Sequence, residues 1–327
     1  TMAFFWKVLF TNEYTILGGW DGSVQWYAWY RFAADWVRRG VLPLWDPYVY
    51  GGHSFIGEAQ AGLFYPFNLL QAFLIPAGQS LSPSLIYWMA AFHGFLAASF
   101  MYLLARVLGM QRGPAIVSAV IFSYGGFLAH RLFGHLSIYY GGVWLPLLLA
   151  LLHLAVARRR PLLAVIAGLL LGMVALVGHL MPPVYSGLVM AAYAVYLTYI
   201  AWRRRQGQVA WLYPLAMLLL VGAFALGAAA VQIIPSLEYE KLALKWTGAP
   251  APPLRGSERS SYEIASTFYY LHPQQLVSFL IPFLYSPEEG TGYFGILPLV
   301  LMVIGVLCWR RRGVGFFALL GLVALLF

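Results

Sequence analysis

The chain has 327 residues, of which 61% are hydrophobic and only 9% charged, with a formal net charge of +9. A soluble domain carries about 25% charged residues, so composition excludes a water-soluble globular protein and predicts an all-α polytopic membrane protein. The single cysteine, Cys308, lies in an apolar run beside Trp309, which excludes a disulfide framework and a CxxC site.

The chain opens with TMAFFWKVLF, too short to cross a bilayer that takes about 20 residues. It reads as the end of a first span, and the closing GVGFFALLGLVALLF likewise stops inside an apolar run. A fragment of a longer protein is expected on both counts. Between these ends, apolar runs fall at 85–105, 114–129, 138–156, 161–178, 183–202, 209–231 and 293–309, which makes roughly eight or nine spans with the terminal pieces. They must be helical, because an unpaired backbone group in hydrocarbon costs several kcal/mol.

Charge sets the orientation. Arg106 and Arg112, Arg158–Arg160, Arg203–Arg205 and Arg310–Arg312 occupy every second connection, and no acidic residue lies among them. The positive-inside rule makes those connections cytoplasmic. All 11 Asp and Glu then fall in two long outer segments, 11–83 and 232–292, of a single transmembrane domain spanning 1–327. The basic excess is an orientation signal, and with no basic face to the fold a nucleic-acid partner is not expected.

The first outer segment holds the densest polar chemistry. After Gly18-Gly19-Trp20 comes Asp21, and the following GSVQWYAWYRFAADWVRRG is predicted as a helix. Trp26, Trp29, Tyr30, Ala33, Trp36 and Val37 recur at helical spacing, and Arg38 and Arg39 sit where the dipole favours cations. Such Trp- and Tyr-rich helices lie in the membrane interface, as an anchor or as part of a site. Asp21 is either the N-cap of this helix or a carboxylate facing the lipid headgroup zone. LPLWDPYVYGGHSFIGEAQAGLFYPFNLL then makes a turn-rich loop ending in a short apolar helix. Asp46, before Pro47, reads as a turn residue. His53, Glu58 and Gln60 are polar groups among aromatics, and a carboxylate beside apolar walls is suited to acid–base work.

Further along, HRLFGH at 130–135 is an outer connection. His130 and His135 are five apart and do not share a helical face as an i, i+4 ligand pair does. Arg131 with these two histidines can bind a lipid phosphate, or the stretch is an interfacial loop with basic anchors. His93 and His153 lie within spans and are expected as neutral, hydrogen-bonded imidazoles. His179 stands at an outer span end. In the second outer segment Arg255 and Arg259 suit pyrophosphate or phosphate, since guanidinium pairs bidentately with such oxygens, or they are charges on a solvated loop. PQQLVSFLIPFLYSP at 273–287 is expected to be re-entrant or interfacial.

The pattern P-L-W-D-P, G-G-H-S and A-Q-A-G-L-F-Y-P-F-N-L-L after Asp21 resembles the bacterial YfhO-like membrane proteins of the GT-C superfamily of polyprenol-dependent glycosyltransferases. WLPLLLALL at 144–152, IIPSLEY at 233–239, HPQQLVSFLIPFL at 272–284 and GYFGILPLVL at 292–301 agree with it in order. The resemblance implies a GT-C-like helix bundle in the bacterial cytoplasmic membrane, with membrane-parallel helices and a catalytic acidic residue in its first extracytoplasmic loop, a position that Asp21 matches. It further implies a polyprenyl-phosphate-linked sugar as donor and a cell-envelope acceptor, with membrane lipids around the bundle. On this reading Asp21 is the general base of an inverting transfer, Glu58 and His53 orient the acceptor or assist, and Arg131, His130, His135, Arg255, Arg259 and Gln60 hold the phosphate-bearing donor. A divalent cation stays open as a cofactor, with no compact ligand set in the sequence. The alternative is a non-catalytic membrane subunit on the same scaffold, bound to other membrane subunits. A transporter ranks last, since the spans hold almost no charges and no internal repeat is visible.

Overall fold

A stretch of some twenty apolar residues can satisfy its backbone in hydrocarbon only as a helix, and helices dominate the chain. The computed structural model describes residues 1–11, 13–18, 21–204, 210–242, 273–281, 284, 293, 295–307 and 313–326. It divides into two compact units, Thr1–Glu238 and Tyr239–Phe327.

In the first unit, a short helix α1 (Met2–Phe10) precedes a π-helical turn, Asp21–Trp26, that runs directly into α2 (Tyr27–Val37). A two-stranded antiparallel hairpin follows, β1 (Trp45–Asp46) and β2 (His53–Ser54), with Asp46 opposite His53 and Trp45 opposite Ser54. A single 3-10 turn, Ala59–Ala61, leads to α3 (Pro66–Leu74), where Pro66 starts the helix at no hydrogen-bonding cost. The bundle proper is α4 (Pro83–Val107), α5 (Arg112–Tyr124), α6 (Gly126–Arg131), α7 (Leu136–Gly142), α8 (Leu145–Ala157), α9 (Pro161–Ala175), α10 (Met181–Arg203) and α11 (Tyr213–Leu242), whose residues from Tyr239 on are counted with the second unit. The second unit contains a 3-10 segment, Pro273–Phe279, and the apolar helices α12 (Ile296–Leu307) and α13 (Val314–Leu326).

Five helical stretches among the described residues are long and apolar enough to cross a membrane: Pro83–Val107, Arg112–Arg131, Leu136–Ala157, Met181–Arg203 and Ala210–Leu242. They fall on five of the seven complete apolar runs. The run at 161–178 departs from expectation, because α9 stops at Ala175 after 15 residues. That makes roughly 22 Å of helix, short of a hydrocarbon core of about 30 Å. The chain turns before α10 at Gly178, whose φ is +101° and which packs against the Gln60 carbonyl. The run at 293–309 likewise yields only the 12 residues of α12.

A second departure concerns α11. The apolar run ends near residue 231, yet the helix continues through Pro235 to Leu242. Hydropathy marks where hydrocarbon ends, whereas the helix ends only where its backbone bonds do. Pro235 removes one such bond, and the polar turn SLEYEKL carries on beyond it.

Packing is tightest around α4, whose Ile86, Ala90, His93 and Ala97 are fully buried. Phe5 of α1 is buried with them in one core that also takes in Trp26, Tyr30 and Ala34 from the first polar segment. Those last three recur at i, i+4 and i+8, one face of a helix. Elsewhere α9 meets α11 through glycine. A Cβ on Gly168 would lie 2.6 Å from the Val221 carbonyl oxygen, and one on Gly172 would lie 2.6 Å from the Ala228 Cβ. Two small residues four apart let helix backbones approach closely where no hydrophobic effect drives them together.

Candidate functional site at the polar-segment end of the bundle

The helices run back and forth, so the turns after α6 and α9 and the far end of α11 return to the end of the bundle where the first polar segment emerges. Asp21 opens the π-helical turn there and is half-buried. One turn on, Gln25 donates from Nε2 to Oε1 of Gln60 at 3.4 Å. Glu58 is the cap of the intervening 3-10 turn, its Oε1 accepting the Gln60 backbone N–H at 3.0 Å. One of its oxygens is therefore engaged in holding the loop. His53 is placed in the hairpin, 6% exposed, opposite Asp46 and edge-on to Tyr50 with ring centroids 6.0 Å apart. Asp46 accepts the Tyr48 N–H at 2.9 Å and so makes the turn expected of it.

The loop is fastened from three sides. Gly62 adopts φ +59° and its carbonyl accepts from Asn68 Nδ2 at 2.9 Å. Gly178 lies so close that a Cβ there would fall 2.6 Å from the Gln60 carbonyl oxygen. From α11, Gln232 donates to the Ile56 carbonyl at 3.0 Å and Ser236 to the Gly57 carbonyl at 2.9 Å. Meanwhile α2 is strapped down by Arg38, which donates to the carbonyls of Gln79 at 2.6 Å and Pro76 at 2.8 Å.

Beside Gly178 stands a cationic group. His130 and Arg131 form the last turn of α6, rather than the open connection that HRLFGH suggests. His135 occupies the N-cap position of α7. Arg131 and His135 are the charged neighbours of both His130 and His179, so four basic side chains from three elements converge. His179 Nδ1 accepts the Met181 backbone N–H at 3.1 Å, which leaves Nε2 to carry the ring proton. Burial, and then the positive charges of His135 and Arg131, hold the His179 imidazole below its ordinary value. Positive side chains beside the half-buried His179 imidazole suit an anion.

Below the site, Tyr65 reaches from the start of α3 into the bundle. His93 donates from Nδ1 to the Met89 carbonyl at 2.8 Å, so its Nε2 accepts from the Tyr65 hydroxyl, also at 2.8 Å. Trp144 Nε1 donates to that same hydroxyl at 3.1 Å, and Tyr140 stacks on the His93 ring at 3.9 Å. Every polar atom of the His93 ring is matched, and the neutral imidazole acts as an anchor. Burial pushes the Tyr30 phenol up to about 12, with Asn68 pulling the other way.

Gln25 and Gly178 both meet Gln60, so the Asp21–Trp26 turn and the turn before His179 are seated on the loop that Glu58 caps. His179 and Gln25 join the predicted residues at this end of the bundle. The first was visible as an ionisable group at a span end, whereas the second carried no signal within its helix. Arg255 and Arg259 lie outside the described residues. Among the described residues no group of three or more His, Cys, Asp or Glu comes together as a metal site. No family model, curated protein or solved structure matches the chain.

Proposed function

We propose that this chain is a membrane glycosyltransferase that moves a sugar from a polyprenyl-phosphate donor to a cell-envelope hydroxyl on the extracytoplasmic side. One observation carries the reading. The Asp21–Trp26 turn meets the Glu58-capped loop at Gln60, and the turn carrying His179, whose charged neighbours are His135 and Arg131, meets that same residue, at one end of a bundle whose helices are long and apolar enough to span a membrane. The resemblance to GT-C glycosyltransferases supplies the chemistry that joins the two halves.

In this mechanism the basic group holds the donor phosphate, with Arg131 supplying paired N–H donors. Asp21 takes the proton from the acceptor hydroxyl as that oxygen attacks the anomeric carbon. The carbon–oxygen bond to phosphate breaks, the electron pair leaves with polyprenyl phosphate, and the sugar configuration inverts. Arg131 and His179 stabilise the negative charge that grows on the leaving phosphate. Glu58 and His53 act at one remove, by fixing the loop and the hairpin that shape the acceptor side. Gln60 is held by Gln25 on the same loop.

The test is transfer of label from a panel of polyprenyl-phosphate sugars in membranes carrying the full-length protein, native against Asp21→Asn. Transfer by the native protein and its loss in the variant, at equal abundance, supports the assignment. Full transfer by Asp21→Asn removes Asp21 from the role of base. Absence of transfer by the native protein from every donor favours a non-catalytic subunit of a larger membrane complex.

A further inference from the structure

At the opposite, arginine-bearing end of the bundle lies a cavity of about 610 Å³ between α8, α10 and the start of α11. This is within the range of about 300–1,000 Å³ typical of ligand sites. Its apolar wall includes Leu197 and Ile200 from α10, and its polar groups are His153, Arg159, Arg204 and Tyr213. His153 Nδ1 and the Tyr193 hydroxyl are 2.7 Å apart, which fixes the imidazole at the cavity wall.

Arg159 is unusual in its backbone. It adopts φ +51°, a left-handed conformation that a residue with a side chain rarely takes. Its guanidinium lies 4.6 Å from the centroid of the Tyr213 ring. An arginine in this connection serves membrane orientation from any position in it, and Arg158 and Arg160, exposed like Arg159 itself, already provide that charge. The left-handed backbone closes α8, with the Arg160 N–H donating to the Ala155 carbonyl at 3.0 Å, but neither that cap nor orientation accounts for a guanidinium laid across a tyrosine. Stacking on an aromatic face leaves the edge of the guanidinium, with its N–H donors, available to a second planar or tetrahedral partner. Arg204 lines the same cavity from the end of α10. Two guanidinium groups above an apolar wall match one class of ligand, an amphiphile with a phosphate head, and basic pockets between spans bind such heads in general.

We propose that this cavity binds a phosphate-bearing lipid of the adjoining leaflet, with its phosphate between Arg159 and Arg204 and its chain along Leu197 and Ile200. The site is distinct from the His130–Arg131–His135–His179 group and does not depend on the transferase reading.

The experiment is retention of radiolabelled phosphatidylglycerol by the purified full-length chain in neutral detergent, with phosphatidylcholine as the comparison lipid. At least tenfold preference for phosphatidylglycerol is expected. Arg159→Gly and Arg204→Gln each weaken retention at least fivefold. Arg112→Gln removes the same charge at another arginine-bearing connection and leaves retention unchanged. Ile200→Trp keeps both arginines but fills the cavity, and it also weakens retention. Glycine suits a positive φ, so Arg159→Gly melts no lower than the native chain, which separates lost binding from lost fold. Equal loss in Arg112→Gln, equal retention of phosphatidylcholine, or undiminished retention by Ile200→Trp overturns the proposal. Displacement of the lipid by an equal concentration of glycerol 3-phosphate overturns it too, since the site would then belong to a soluble phosphate.

Discussion

Gly178 and Gln60 meet backbone to backbone, with room for no side-chain atom between them: a Cβ at 178 would stand 2.6 Å from the Gln60 carbonyl oxygen. Through this contact the turn that carries His179 is seated on the loop that carries Glu58 and Gln60. Gly178→Ala must both move that carbonyl and hold alanine at φ +101°, at a cost of about 1–3 kcal/mol. The expected outcome is a lower melting temperature together with loss of transfer. Gly187→Ala, in α10 with open space at its Cβ, is expected to leave both unchanged.

Asp21→Asn separates capping from catalysis. Asparagine caps a helix as well as aspartate does, so an N-cap role predicts near-native stability and activity alike. As a general base, Asp21 is worth about 10²–10⁴-fold in rate. The expected result is a loss of that order in turnover, read from single-time-point transfer assays, at an unchanged melting temperature.

The basic group makes a pH prediction. His179 is held below its ordinary value of 6.5 by burial first, then by His135 and Arg131. A group so held binds fewer protons folded than unfolded, so its contribution is complete above the ordinary value and is lost as pH falls below it. Melting temperature is therefore expected to drop as pH is lowered from about 7.5 to about 5. A bound phosphate reverses the local charge and raises the imidazole, so phosphate affinity rises over the same window. Arg131→Gln is expected to weaken phosphate binding, as followed by calorimetry, and to leave most of the stability trend in place, because burial is its first cause.

Tyr65→Phe tests the anchor beneath the site. Removing the hydroxyl leaves His93 Nε2 and Trp144 Nε1 without their shared partner in a fully buried place, a cost of about 1–3 kcal/mol. The variant is expected to melt earlier while keeping its phosphate affinity, because the cationic group draws none of its side chains from this network.

Much of this was legible in the apolar runs, because a helix in hydrocarbon is dictated by composition over some twenty residues. The limits of that signal are physical. It ends α11 at the hydrocarbon boundary near 231, while backbone bonding carries the helix to Leu242. It lengthens α9, because the turn at Gly178 is imposed by a loop more than a hundred residues earlier in the chain. At the site, His130, Arg131 and His135 were readable as a basic stretch, yet their convergence with His179 is tertiary and left no local pattern. Glu58 drew attention as a carboxylate among aromatics, and its cap on Gln60 depends on a 3-10 turn that no periodicity announces. Arg159 and Arg204 read fully as orientation charges, and that sufficient explanation hid the cavity they line.

The reach of Gln232 and Ser236 to the Ile56 and Gly57 carbonyls ties the loop to a stretch of 33 helical residues, Ala210–Leu242. Such a stretch is about 50 Å long, against a hydrocarbon core of about 30 Å. Its apolar part is long enough to cross a bilayer and its polar end is held by the loop, so this one rod links the two. Any tilt the helix takes up to match its surroundings is transmitted to residues 56–57 and hence to Glu58. Acyl-chain length thereby becomes an input to this loop, and short-chain and long-chain bilayers set it at different heights without any ligand changing.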